Sequence, residues 1–191
     1  MGAEFARKTR IEKQLQAFHS SYYPLAYEFF GGHPARYQNQ SGALFRVWAP
    51  AVVSVSIVGD FNEWDSQKTP MTDIAKDIWE VFVPTMRDFA LYKYAIHTKR
   101  GQTLLKCDPY AYHMETRPGN ASRYCSISGY HWNDHSWQKQ KARTDYYSSP
   151  LNIYEIHPGS WKTYPDGNPF NYRQLAKELI PYLQEMHYTH V

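Results

Sequence analysis

The 191-residue chain is poor in cysteine, with only Cys107 and Cys125. Two thiols cannot build a disulfide framework, and no C-x-x-C spacing is present, so two free thiols in a reducing compartment are expected. No stretch of 18 apolar residues exists, which excludes a membrane-spanning helix. Residues 1–10 are polar and lack an apolar core, so no signal peptide is expected and the cytoplasm is the expected location. Charge of one sign is missing too. The 21 basic and 18 acidic residues are interspersed and leave a net +3, too mild a surplus to imply nucleic acid or a membrane surface as partner. Neither a P-loop nor G-x-G-x-x-G occurs, so no nucleotide or other cofactor is expected. Asp60, Glu63 and Asp65 lack the spacing of a calcium loop. His131 and His135 have no further ligands near them, so no metal is expected. Ser160 does not stand in G-x-S-x-G.

Aromatic residues are what the chain has in excess: 17%, including 17 Tyr and 6 Trp. A β-rich core accounts for such a count, because aromatics favour strands. A carbohydrate surface would also use them, since the apolar C–H face of a sugar lies flat on a ring while its hydroxyls bond to polar neighbours.

Three zones follow one another. In residues 1–34, Ile11, Leu15 and Phe18 recur at helical spacing and predict a helical lead. Residues 35–130 read as strands. Val53-Ser54-Val55-Ser56-Ile57 alternates, which places Val53, Val55 and Ile57 toward a core and the serines outward. Trp79, Val81 and Val83 alternate with Glu80 and Phe82, and Tyr92, Tyr94 and Ile96 with Lys93 and Ala95. Arg100-Gly101-Gln102 reads as a hairpin turn into Thr103-Leu104-Leu105. Short alternating strands between turns predict a mainly β fold, an immunoglobulin-like antiparallel β-sandwich. A polar linker, 131–151, leads to residues 152–191. There Asn152 to His157 reads as a strand, Asn171 as the cap of a helix carrying Leu175, Leu179 and Leu183, and Tyr188 to Val191 as the start of another strand. Pro181 is expected to kink or split that helix. Strand, helix, strand is the first βα unit of a (β/α)8 barrel that would need about 250 residues, so the barrel is truncated here.

Trp64 is the main candidate for ligand contact. It lies on the polar loop Gly59 to Asp65, with Asn62 beside it. Lys93 faces away from Tyr92 and Tyr94. An indole, a cation and an amide suit a sugar, although an indole folded back over the sandwich edge is the simpler account from residue types alone. Paired carboxylates for glycoside chemistry cannot be nominated, since Glu155 has no partner.

Several runs in order resemble one family. Gly42-Ala43-Leu44-Phe45-Arg46-Val47-Trp48-Ala49-Pro50, then Val58-Gly59-Asp60-Phe61-Asn62-Glu63-Trp64-Asp65, resemble the glycogen-binding sandwich module of the 1,4-α-glucan branching enzymes. Leu91-Tyr92-Lys93-Tyr94 and Cys107-Asp108-Pro109-Tyr110-Ala111 do as well. Ile153-Tyr154-Glu155-Ile156-His157-Pro158-Gly159-Ser160-Trp161 is similar to their first barrel strand, and Glu178 to Met186 with Thr189-His190-Val191 to the following helix and strand. Debranching and trehalose-releasing enzymes share the Tyr-Glu-x-His strand; Gly-Ser-Trp after it favours branching. The resemblance implies the N-terminal fragment of a retaining transglycosylase that moves an α-1,4 chain onto a 6-hydroxyl, acts on glycogen or amylose and has its catalytic Asp and Glu on later strands, so this chain alone is expected to be inactive. No catalytic residue and no protein partner is assigned within it. A free-standing glucan-binding protein and a debranching hydrolase are the alternatives. Trp64 and Lys93 match sugar-binding positions of related modules, including that of AMP-activated protein kinase. Thr103 stands where those modules place a second Trp. Pro158 replaces a usual aliphatic residue, and His187 a usual Gly, which strains a tight helix end.

Overall fold

The computed structural model describes the backbone of residues 2–20, 22–75 and 77–191, with side chains from Ile11 onward over the same ranges. It divides into two compact units, Met1–Tyr130 and His131–Val191.

The first unit opens with helix α1 (Gly2–His19) and the short α2 (Ala26–Phe29), followed among the described residues by nine strands: β1 (Gly31–Tyr37), β2 (Gln40–Trp48), β3 (Val52–Gly59), β4 (Thr72–Ala75), β5 (Ile78–Pro84), β6 (Leu91–Thr98), β7 (Thr103–Lys106), β8 (His113–Met114) and β9 (Ser122–Arg123). They form two antiparallel sheets. One runs β1-β2-β5-β4. The other runs β3-β6-β9-β8, with β7 pairing the second half of β6. The expected β-sandwich is therefore observed. Its first strand begins at Gly31, inside the stretch read as a helical lead. That strand escapes a pattern search because Gly31, Gly32 and Pro34 interrupt it. Pro34 is tolerated on an edge strand, where a missing N–H costs no ladder bond. Gln38 and Asn39, at φ 45° and 64°, make the two-residue turn that aligns Tyr37 with Gln40.

Between the sheets lies a core of Phe45, Val47, Val55, Ile57, Trp79, Val83, Tyr92, Tyr94 and Tyr124 among others. Period-2 alternation puts these side chains inward. Val53 departs from the expected alternation. A bulge between Val52 and Ser54 shifts the register, so Val52 packs on the core and Val53 is 62% exposed. Ser56, expected to face solvent, is buried. The segment Thr69–Met71 folds along the free edge of β3, with Ile57 N–H donating to Thr69 O (3.1 Å), Met71 N–H to Val55 O (2.9 Å) and Pro70 bridging to Ser56.

A second cluster covers the outer face of the first sheet. Leu15, Phe29, Phe30 and Ile78 are buried there, with Ile11 and Phe18 of α1 packed against them. The helix predicted from Ile11, Leu15 and Phe18 thus docks on the sandwich. Beneath it Arg46 Nε donates to Glu80 Oε2 at 2.7 Å and the guanidinium lies 4.6 Å from the centre of the Phe29 ring. Sheltered from water, that pair is screened far less than a surface pair.

The second unit holds α3 (His135–Lys141) within the stretch read as linker, the single turn α4 (Pro158–Trp161), and α5 (Tyr172–Glu185). Asn171 caps α5 as expected, its Oδ1 accepting from Gln174 N–H at 2.9 Å. Pro181 does not split the helix, which runs through it. Asn152 to His157 is not a regular strand. One parallel bridge, Ile153 to His190, and the bond from Tyr154 N–H to His190 O are what form. A parallel strand flanked by one partner has too few ladder bonds to extend. Tyr154, Tyr182 and Tyr188 pack together, and Trp161 Nε1 donates to the Tyr154 hydroxyl at 2.9 Å.

His187 is left-handed at φ 56°. Its N–H reaches Gln184 O, and Tyr188 N–H reaches Leu183 O, the two bonds of a Schellman helix end that normally uses glycine.

Two outcomes are expected. Phe30→Ala, which empties a fully buried ring position, should cost about 3–5 kcal/mol in a denaturant melt of the first unit. His187→Gly should stabilise the second unit by about 1 kcal/mol and slow its cleavage in limited proteolysis relative to the sandwich; an unchanged or faster cleavage rate would remove strain at His187 from the account.

Candidate glucan-binding surface

The candidate residues gather where β3 hands over to the loop 59–71 and β6 begins. Gly59 pairs with Tyr92 and Val58 with Lys93. The approach is close. A Cβ at Gly59 would stand 2.2 Å from Leu91 O and 2.9 Å from the Phe61 ring, so a side chain at 59 would push the loop off β6. Asp60 reinforces the junction, its Oδ2 accepting from Leu91 N–H at 2.8 Å. After a 3-10 turn, Asp60–Asn62, the chain passes through two consecutive left-handed residues, Glu63 at φ 59° and Trp64 at φ 62°. For bulky L-residues that conformation is strained and persists only where surroundings hold it. Trp64 is 39% exposed, large for an indole. The Trp64 backbone N–H donates to Gly59 O at 3.1 Å. Glu63 pairs with Lys68 on the surface. The Lys68 hydrogen bond holds the Glu63 carboxyl below its usual range.

Lys93 lies on the outer face of its sheet because its neighbours are pinned inward. The Tyr92 and Tyr94 hydroxyls both donate to Asp108 Oδ2, at 2.7 and 3.1 Å. Asp108 Oδ1 accepts from Tyr110 N–H at 2.8 Å, and Asp108 N–H donates to Ser122 Oγ at 2.8 Å. Burial pushes the Asp108 carboxyl above the usual carboxylate range, although the Tyr110 N–H and both hydroxyls pull it down. Burial beside that carboxylate also raises Tyr94 and Tyr92, so both stay protonated donors.

The structure joins Lys93 to a residue that sequence reading missed. Lys93 Nζ donates to Asn120 Oδ1. Asn120 ends a loop closed by Glu115, which takes Ala121 N–H on Oε2 and gives its own N–H to Ala121 O. β9 follows directly and pairs with Leu91 and Tyr92, which sets Asn120 beside Lys93. Twenty-seven residues separate the two in sequence, so no local signal could have paired them. Thr103 lies at the other end of β6, opposite His97, and bonds its ring at 2.9 Å.

Asn62 is corrected. Proposed from the sequence as a sugar contact, it is buried at 6% exposure with its amide bonded inward. Among the described residues no cluster of metal-ligating side chains forms, and both cysteines are free. No described helix is long and apolar enough to cross a membrane.

The arrangement presents an exposed indole on a hydrogen-bonded turn and, on the adjoining strand, an ammonium coupled to a side-chain amide. Ring faces bind apolar sugar faces, and the cation and amide can bond hydroxyl oxygens. Residues 30–111 of this sandwich match the family model of carbohydrate-binding module 48, the isoamylase N-terminal domain. Beyond that module, the chain is homologous over nearly its whole length to the N-terminal region of 1,4-alpha-glucan branching enzymes. It is 42% identical over 182 residues to the 1,4-alpha-glucan branching enzyme GlgB of Bacillus cytotoxicus, covering 95% of this chain and 28% of that protein. To the GlgB of Bacillus anthracis it is 41% identical over 181 residues, 94% of this chain and 28% of that one. The chain therefore spans less than a third of the length of these relatives. A putative alpha amylase from Salmonella typhimurium shares the fold, with a TM-score of 0.55 at 20% identity over 84% of this chain and 23% of its own.

Asp108 generates a pH prediction. Its folded pKa lies above the unfolded value of about 3.9. Its contribution to stability is therefore full below about pH 4 and is lost as pH rises through the folded pKa. Asp108→Asn removes this titration. The stability advantage of the parent chain over Asp108→Asn should be largest near pH 4 and shrink toward neutrality, by at most about 1.4 kcal/mol per pH unit. Urea melts at pH 4 to 7 measure it; a difference independent of pH would show that burial does not raise this carboxyl.

Proposed function

We propose that this chain is the glucan-engaging N-terminal part of a cytoplasmic 1,4-α-glucan branching enzyme, and that Trp64, with Lys93 and Asn120, forms its contact with glycogen or amylose. The observation that carries the reading is the 42% identity along 95% of the chain to a branching enzyme. On this reading the enzyme cleaves an α-1,4 bond, holds the chain covalently on a carboxylate and delivers it to a 6-hydroxyl, retaining configuration at the transferred carbon. The module's part is to raise the local concentration of glucan near that chemistry, the gain expected when a second binding element is tethered to a first. Residues 152–191 are the first βα unit of the catalytic barrel, which explains why their extended segment pairs in parallel with residues near 190.

Trp64→Ala should weaken glycogen affinity by about 2 kcal/mol, roughly 30-fold, as removal of an aromatic anchor does. Affinity electrophoresis in glycogen-containing gels reads it, with a thermal melt as control. Loss of retardation at unchanged melting temperature is the expected result. Undiminished retardation would leave Trp64 as edge packing and move the glucan contact elsewhere.

A further inference from the structure

Asn62 lies directly before the two strained residues of the glucan loop, and both polar atoms of its side chain bond to that loop and the end of β3. Its Oδ1 accepts from Gly59 N–H at 2.9 Å. Its Nδ2 donates to Ile57 O at 2.9 Å, to Thr69 Oγ1 at 2.9 Å and, at longer range, to Asp65 O at 3.4 Å. These partners lie on both sides of residues 63 and 64: Ile57 and Gly59 before them, Asp65 and Thr69 after. The amide thus ties the entry and exit of the loop to one buried point. Two main-chain bonds close the same turn, Trp64 N–H to Gly59 O and Asp65 N–H to Asn62 O at 3.2 Å. Nothing in the chemistry of Glu63 or Trp64 favours φ near 60°. Glycine and asparagine visit that region readily, glutamate and tryptophan do not.

We propose that Asn62 is the positioning residue of the glucan platform: its buried carboxamide holds Glu63 and Trp64 in the left-handed conformation and thereby fixes the direction in which the indole leaves the backbone. It does not touch sugar. Without the amide the turn relaxes toward right-handed or extended geometry, and only the fraction of molecules that still present the indole binds, so the apparent affinity falls by that fraction. Asparagine suits the position because it offers an acceptor and two donors on one short planar group. Aspartate would meet Ile57 O with a second acceptor, and serine lacks the reach. The inference rests on the reading of Trp64 as the platform and adds the reason that the platform is rigid.

The test uses the 191-residue chain and glycogen affinity electrophoresis, with thermal melts for each variant. Asn62→Ala should bind about ten-fold more weakly. Adding Glu63→Gly to Asn62→Ala should restore most of that affinity, because glycine adopts φ near 60° without steric cost and brings no side chain to the sugar. Thr69→Val, which removes one partner of the amide, should weaken binding roughly three-fold and recover with Glu63→Gly in the same way. If Asn62→Ala fails to fold, the Thr69→Val pair carries the test alone. A full-strength Asn62→Ala alongside a weakened Trp64→Ala overturns the positioning role and leaves the platform standing. A loss that Glu63→Gly does not restore overturns it too, since a direct sugar contact or general damage behaves that way. Parent-like binding by Trp64→Ala overturns the platform, and this inference with it.

Discussion

A single buried carboxylate organises the sheet that carries the candidate site. Asp108 receives the hydroxyls of Tyr92 and Tyr94, which stand two apart on β6 and therefore point to the same side. A charge in an apolar core is costly unless hydrogen bonds replace its water, and here three donors do so. The consequence runs along β6. With Tyr92 packed on Phe45, ring centres 4.9 Å apart, the strand cannot slip by one residue without expelling both tyrosines to solvent and turning Lys93 into the core. The outward direction of Lys93 is thus secured by bonds on the opposite face of its strand. Ser122 Oγ, accepting from Asp108 N–H, binds β9 to the same centre, and β9 begins two residues after Asn120. One buried group therefore positions both members of the Lys93–Asn120 pair.

The first sheet obeys a different constraint. Its inner face meets the second sheet, and its outer face meets α1 and the Phe29–Phe30 pair. Both faces of β5 are consequently apolar at Ile78 and Trp79 in succession, which alternation alone cannot explain. The helix is part of the same folding unit as the strands, because Leu15 of α1 is buried in one cluster with Ile78 of β5. Arg46 and Glu80, on that covered face, make an ion pair that anchors the polar positions of β2 and β5 under the helix.

The loop between the sheets resolves a third problem. A crossing from β3 to β4 must leave the end of one sheet and enter the other while protecting the free edge of β3. Thr69 to Met71 supplies the edge bonds, and Asn62 gathers the remaining backbone groups of the turn. The strain at Glu63 and Trp64 is local and is borne by this network. An indole held away from the core on such a turn is the kind of arrangement in which strain and binding coincide.

The sequence by itself determined the sandwich class, the main strands β2, β3, β5, β6 and β7, the helix through Ile11, Leu15 and Phe18, and the Asn171 cap. These follow from local periodicity and from turn and cap chemistry, which act over a few residues. The loop position of Trp64 was legible for the same reason, but residue types alone favoured an indole folded back over the sandwich edge, and only the fold leaves it 39% exposed. Tertiary structure alone decided the rest. The bulge that turns Val53 outward depends on pairing with β6. Burial of Ser56 depends on a segment 14 residues later. Pro181 stays within its helix although its type predicts a break. Asn62 read as a sugar contact because an exposed loop favours polar residues; its inward amide depends on Ile57 in β3 and on Thr69, which the returning loop lays along the edge of that strand. Asn120 was invisible beside Lys93 because their meeting requires β9 to dock on β6. Local patterns record which face a residue prefers, but which partner it meets there is set by chain segments that only the completed fold brings together.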